Sequence, residues 1–143
     1  MFKKFTRMAL IAAALGASIG IANASMYTLL PVAARTATTT TADITKTTEV
    51  GAHFILNVTA VPGVDTLTMS IQGKDNLGNY YTLLTGTASA ATGIVVLKVS
   101  PSIAPLASGS ANDMLPDIYR VVVTHSAGTS FTYSLTQNTW TSK

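Results

Sequence analysis

An all-β, antiparallel sandwich is the fold that this 143-residue sequence predicts, and three observations carry the prediction. Beyond residue 24 the apolar residues recur mostly at every second position, the period of a strand with one buried face. Turn signals built from Gly, Pro, Asn and Asp punctuate that pattern. No part of the stretch holds a convincing apolar period of 3.6 residues, which an amphipathic helix would show. Both an immunoglobulin-like and a jelly-roll arrangement satisfy these patterns, and the residues leave the topology open.

Residues 1–24, MFKKFTRMALIAAALGASIGIANA, are of a different character and predict a hydrophobic leader helix in front of the sandwich. Lys3, Lys4 and Arg7 precede an apolar stretch from Met8 to Ile21, and Ala22-Asn23-Ala24 closes it with small residues. That is the layout of a secretory signal peptide; a retained assembly helix and a true start at Met26 are the alternatives. The apolar stretch has 14 residues, short of the roughly 20 a spanning helix needs, so no permanent membrane anchor is expected. The chain therefore divides into a leader, 1–24, and one sandwich domain, 25–143, close to the usual domain size of about 100–150 residues.

The strands follow in order. Ala34–Thr41 is Thr-rich, and because Thr favours strands it reads as the first one. His53–Val61 places Leu56, Val58 and Ala60 on one face, and Asp65–Gly73 places Leu67, Met69 and Ile71 inward against Thr66, Thr68, Ser70 and Gln72. Pro62-Gly63 between them is a turn signal and predicts antiparallel neighbours. The turn-rich Gly73–Asn79 then leads into Tyr80–Thr85, a second hairpin in which alternation should bury one of Tyr80 and Tyr81 and expose the other. Gly93 opens the β-branched run Ile94–Ser100, and Pro101–Asn112 is a long loop. Asp117–His125 and Ser130–Thr136 are the last two strands, joined by Ser126–Thr129, which makes six or seven in all. Trp140 is placed beyond the last of them, capping the core or inserting into a neighbouring subunit.

Charge and chemistry exclude several functions. The calculated pI of 9.3 belongs to the whole chain; after residue 24 six bases (Arg35, Lys46, Lys74, Lys98, Arg120, Lys143) balance six acids (Asp43, Glu49, Asp65, Asp75, Asp113, Asp117). The bases are scattered singly, so no nucleic-acid site is expected. The chain has no cysteine, hence no disulfide, no thiolate nucleophile and no thiolate metal ligand. His53 and His125 lie in predicted strands without partners at metal-ligand spacing, and no Gly-x-Ser-x-Gly elbow is present. Asp75, Asn76 and Asn79 are the densest oxygen cluster; they serve as turn residues, with calcium left open. No catalytic residue, metal or cofactor is predicted.

The succession of features from Ala34-Arg35-Thr36-Ala37-Thr38-Thr39-Thr40 through Leu67–Asp75 and Tyr80–Leu84 to Leu115-Pro116 and Tyr119–His125 resembles a group of small virion structural proteins of tailed bacteriophages. The resemblance covers about residues 33–136. It implies a non-enzymatic sandwich on the virion that decorates or cements the capsid, with capsid proteins and sister subunits as partners. The leader departs from that pattern and keeps a second reading in view, an exported bacterial adhesin subunit or carbohydrate-binding module, secreted or at the cell surface. Charged residues make up 10% of the chain and its mean hydropathy is +0.39, whereas soluble domains carry about 25% charge. A surface so poor in repulsion predicts a homo-oligomer, a trimer first of all, or a lattice-bound subunit. Pro101, Pro105, Ser108, Gly109 and Ser110 of the long loop, together with Trp140, are the expected partner contacts, because small residues admit a close backbone and the prolines limit the entropy lost on binding.

Overall fold

The computed structural model of the chain describes residues 24–141, and every regular element among them is a strand. The leader helix falls on residues outside that range. Ten strands follow one another: β1 (Ala24–Arg35), β2 (Thr39–Thr40), β3 (Ile44–Thr45), β4 (Glu49–Ala60), β5 (Leu67–Lys74), β6 (Tyr80–Thr85), β7 (Gly93–Val99), β8 (Ser110–Ala111), β9 (Ile118–His125) and β10 (Phe131–Thr141). They form two sheets. Sheet A has the order β1-β10-β4-β7-β8; sheet B has β2-β9-β5-β6, with β3 also on β9. All pairings are antiparallel except β7 with β8.

Alternation explains how these strands make a core. Along β10, Phe131, Tyr133 and Leu135 are fully buried, and along β5 Leu67, Met69 and Ile71 are too. Phe54, Leu56 and Val58 on β4, Leu97 and Val99 on β7, and Val121 and Val123 on β9 fill the rest of the space between the sheets. Each fully buried side chain of this size contributes about 1.5–3 kcal/mol of transfer free energy. Tyr119 packs edge-on against Phe54 at 5.9 Å across the two sheets.

Four expectations change. The first strand is Ala24–Arg35 rather than Ala34–Thr41, of which Ala34 and Arg35 end β1 and Thr39–Thr40 form β2. β1 lies at an edge, carries Pro31 and shifts register twice around Leu30, so its residues cannot alternate cleanly. Thr41 is buried by docking onto β9, where its N–H and hydroxyl bond the Val121 carbonyl and N–H, both at 3.0 Å. Second, β4 and β5 are not hairpin neighbours. They belong to opposite sheets, and Val61–Thr66 crosses the sandwich between them. Third, Ala60 is exposed rather than inward, because a register shift separates the Thr132/Ala60 pair from Tyr133/Val58. Fourth, Trp140 lies within β10, paired with Ala24 and Gly51.

Candidate functional site

The outer face of sheet A is the surface with the most distinctive composition. β10, between β1 and β4, turns Thr132, Ser134, Thr136, Asn138 and Trp140 outward. Thr136 neighbours Ile55 on β4, and Ile55 neighbours Val96 on β7; one row along, Asn138, His53 and Lys98 stand side by side. Lys98 is the only charged side chain that the described strands turn out on this face. Met26, 72% exposed, extends the face onto β1, and Ile94, 67% exposed, extends it along β7.

At one corner Gly51 lets Trp140 lie flat. A Cβ on Gly51 would stand 2.5 Å from Cζ2 of the indole and 2.8 Å from the Val99 carbonyl oxygen. The His53 ring meets the indole edge-on at 4.9 Å. Burial and then the Lys98 charge hold the His53 pKa below the ordinary value, which keeps the imidazole neutral near pH 7.

The long loop beside this face is tied down. The Lys98 N–H donates to the Gly109 carbonyl at 2.9 Å and the Ser100 N–H to the Ala111 carbonyl at 3.1 Å. Ser102, at φ 66°, donates its N–H to Asn112 Oδ1 at 2.9 Å. Of the expected contacts, Pro101, Pro105 and Ser108 are exposed, Gly109 is half-buried, and Ser110 is buried with its hydroxyl donating to the Ala104 carbonyl at 2.7 Å. Ser110 therefore serves the loop itself. The loop walls a groove of about 420 Å³ over Val96 and Lys98, with Leu106 exposed at its rim.

Sheet B presents a different outer face. The Tyr80 ring is covered by the Arg120 guanidinium at 3.3 Å, with the Lys74 ammonium at 5.2 Å. The Tyr80 hydroxyl donates to Asp43 at 2.6 Å, Lys74 pairs with Asp43 at 2.7 Å, and Arg120 donates to Gln72 at 2.9 Å. Neither tyrosine of the pair is buried. Tyr80 is half-buried in this network, and Tyr81 lies across Gly73 against Pro116, where a side chain on residue 73 would collide with it.

The residues that could carry chemistry are dispersed. His53 faces outward on sheet A, while His125 sits at one end of sheet B, facing the interior with Nε2 3.2 Å from the Tyr133 hydroxyl. Burial lowers the His125 pKa, a hydrogen bond to the Thr129 backbone partly offsets this, and the Arg35 charge adds to the lowering. Asp75 spends its carboxylate on its own turn, accepting the N–H groups of Leu77 and Asn79 at 2.8 Å and the Asn79 side-chain amide at 3.1 Å. Asp65 instead accepts the Thr129 hydroxyl. Among the described residues no three His, Asp or Glu side chains come within reach of one metal ion.

One feature escapes the sequence reading. Between β1 and β3 the sandwich is open, and a cleft of about 410 Å³ runs in past Tyr27, Ile44 and Glu49 to Tyr119 and Gln137. The Gln137 amide donates to the Tyr119 hydroxyl, and its buried Oε1 has no partner. Whichever way the amide is turned, one of its two polar atoms is left over. The signal was present in the sequence: Gln137 continues the inward row Phe131, Tyr133, Leu135 with a polar side chain.

No protein-family model matches the chain, and no curated protein matches it. Among solved structures the chain is similar to one from infectious bursal disease virus Gx strain, with 10% identity and a TM-score of 0.47 over 84% of this chain. The match spans 32% of the viral chain. No family model or curated protein accompanies the phage resemblance found in the sequence.

Proposed function

We propose that the chain is a non-enzymatic structural protein of a tailed-phage virion, a decoration or cement subunit whose outer face on sheet A meets the capsid. The observation that carries this reading is the contrast between a five-stranded face with one charged side chain and an opposite face held by an ionic network. A broad surface of Thr, Ser, Asn, Ile and Val desolvates at low cost, and interface cores are depleted in charge. The winding of the chain supports the same reading. With the two-residue strands β2 and β3 counted as one and β8 set aside, sheet A takes the first, eighth, third and sixth strands and sheet B the second, seventh, fourth and fifth. That is jelly-roll order, used by virus capsid domains and also by lectins, so the fold supports the reading without deciding it.

The test is incorporation. Purified particles should contain the wild-type chain in stoichiometric amount, and Ile55→Lys, which alters the middle of the face, should fold normally yet be missing from them. Normal incorporation of Ile55→Lys would refute the docking face. The second reading, an exported adhesin subunit or carbohydrate-binding module, is favoured by the leader and by the open recess of about 770 Å³ beside Tyr81, Lys74 and Asp117. It predicts glycan binding that Tyr81→Ala removes.

A further inference from the structure

We infer that β1 is a pairing edge, on which a second copy of the chain adds its own β1 antiparallel across a two-fold axis near Met26 and Tyr27. This joins two A sheets into one and closes the cleft between β1 and β3. The proposal is independent of what the outer face of sheet A meets.

The two halves of β1 differ. From Leu30 onward the edge is blunted. Two register shifts twist it, Pro31 lacks an N–H, and the Arg35 guanidinium donates to the Pro31 carbonyl at 2.7 Å and the Ala33 carbonyl at 3.2 Å. These are the devices by which native proteins discourage strand addition. From Ala24 to Thr28 none of them is present. Here the register against β10 is unbroken, no residue is charged, and Met26 and Tyr27 are 72% and 50% exposed. An edge guarded over one half and left regular over the other points to pairing at the unguarded half.

The cleft says what the partner must bring. Tyr27 pairs with Gln137 and so lies on the inner side of the sheet, overhanging the opening. At that opening Glu49 receives the N–H groups of Thr47 and Thr48 and the Thr47 hydroxyl, all on Oε2. The walls, Leu29 and Ile44, are apolar. The complement is an extended strand carrying an apolar side chain tipped with a hydrogen-bond donor, and Ser25-Met26-Tyr27-Thr28 of a second copy is such a strand. The two-fold axis brings Tyr27 of the partner subunit over the cleft, its ring against Ile44 and its hydroxyl toward Glu49. Self-complementarity of this kind is what a two-fold interface requires. The short strand pair buries little area, so association is weak and concentration-dependent.

The full chain has no cysteine, so single cysteines report the pairing without background. In an antiparallel two-fold pair only the residue on the axis meets itself. Among Ser25→Cys, Met26→Cys, Tyr27→Cys and Thr28→Cys, one should form a disulfide-linked dimer in high yield under mild oxidation, while Ser70→Cys on sheet B should form none. Wild-type chain at about 100 μM should sediment as a dimer, and Tyr27→Lys should weaken that dimer at least about tenfold with unchanged circular dichroism. Met26→Lys, on the opposite side of the same strand, repeats the test should Tyr27→Lys fold poorly. A monomeric wild type, equal cross-linking at Ser70, or no cross-linking from 25 to 28 would overturn the proposal.

Discussion

The outer faces of the two sheets share a backbone pattern and differ in how they treat water. At one end of sheet B the outward positions are knitted to one another: Asp43, Lys74, Tyr80, Arg120 and Gln72 form one connected set of contacts. On sheet A the outward side chains are mostly short, β-branched or amide, Lys98 is the one charge beside His53, and the indole is pressed flat over Gly51. A network of exposed charges adds little to stability, but it makes a face costly to dehydrate. The lesson is that the two faces differ in the cost of losing water: the ionic end of sheet B is expensive to dehydrate, and the outer face of sheet A is cheap.

Substitutions can break that comparison, beginning with the core that both faces share. Ile71→Ala removes fully buried methylenes beneath the sheet B network and should cost about 2–5 kcal/mol in chemical denaturation. A much smaller loss would mean that the exposed network, rather than the core, holds sheet B in place. Gly51→Ala attacks the flatness of sheet A: its new methyl meets the indole and the Val99 carbonyl, so about 1–3 kcal/mol of overpacking is expected, with a shift in Trp140 fluorescence. Ser110→Ala frees the Ala104 carbonyl and should cost about 1 kcal/mol, loosening the loop that walls the sheet A groove. For the same reason, deleting Ser108 to Ala111 removes β8 and should destabilise the fold, an outcome that a simple surface loop would not give.

The smallest expected effects sharpen the contrast. Both histidines have lowered folded-state pKa values, so their stabilisation is fully present above the unfolded value of about 6.5 and is lost as pH falls through the folded values. The melting temperature should therefore drop between about pH 7 and pH 5, and His125→Gln should flatten that slope. Asp43 behaves likewise at lower pH, since its hydrogen bond to Lys74 and then that to Tyr80 depress its pKa; its contribution is present above the unfolded value of about 3.9 and is lost as pH falls from there through the lowered folded value. Ser70→Ala, outward on sheet B, should stay within about ±0.5 kcal/mol.

Much of the fold was legible because period-two alternation survives wherever a strand has neighbours on both sides. β5, β9 and β10 are such strands, and Leu67, Met69, Ile71, Phe131, Tyr133 and Leu135 are where the pattern puts them. Alternation reports which residues share a face, and it says nothing about which sheet a strand joins. Pro62-Gly63 therefore read as a hairpin when it begins a crossing. β1 was illegible for another reason: an edge strand with two register shifts buries too few side chains to impress a period on its sequence. The proposed contact surface was legible only in part. Loop composition pointed to Pro101 and Pro105, whereas the row Thr136, Ile55 and Val96 exists only once three distant segments are paired.

The place of β10 between β1 and β4 bears on how the molecule is made. β1 leaves the ribosome roughly a hundred residues before its partner, on the order of ten seconds at ordinary rates of synthesis. Throughout that interval sheet A is a gap flanked by two unpaired edges, and the nascent chain has no native way to close it. Sheet A is thus completed only when the final described strand arrives. The same delay makes it vulnerable: a product truncated before Phe131 would expose both edges permanently and should be cleared or aggregate rather than persist as a smaller domain.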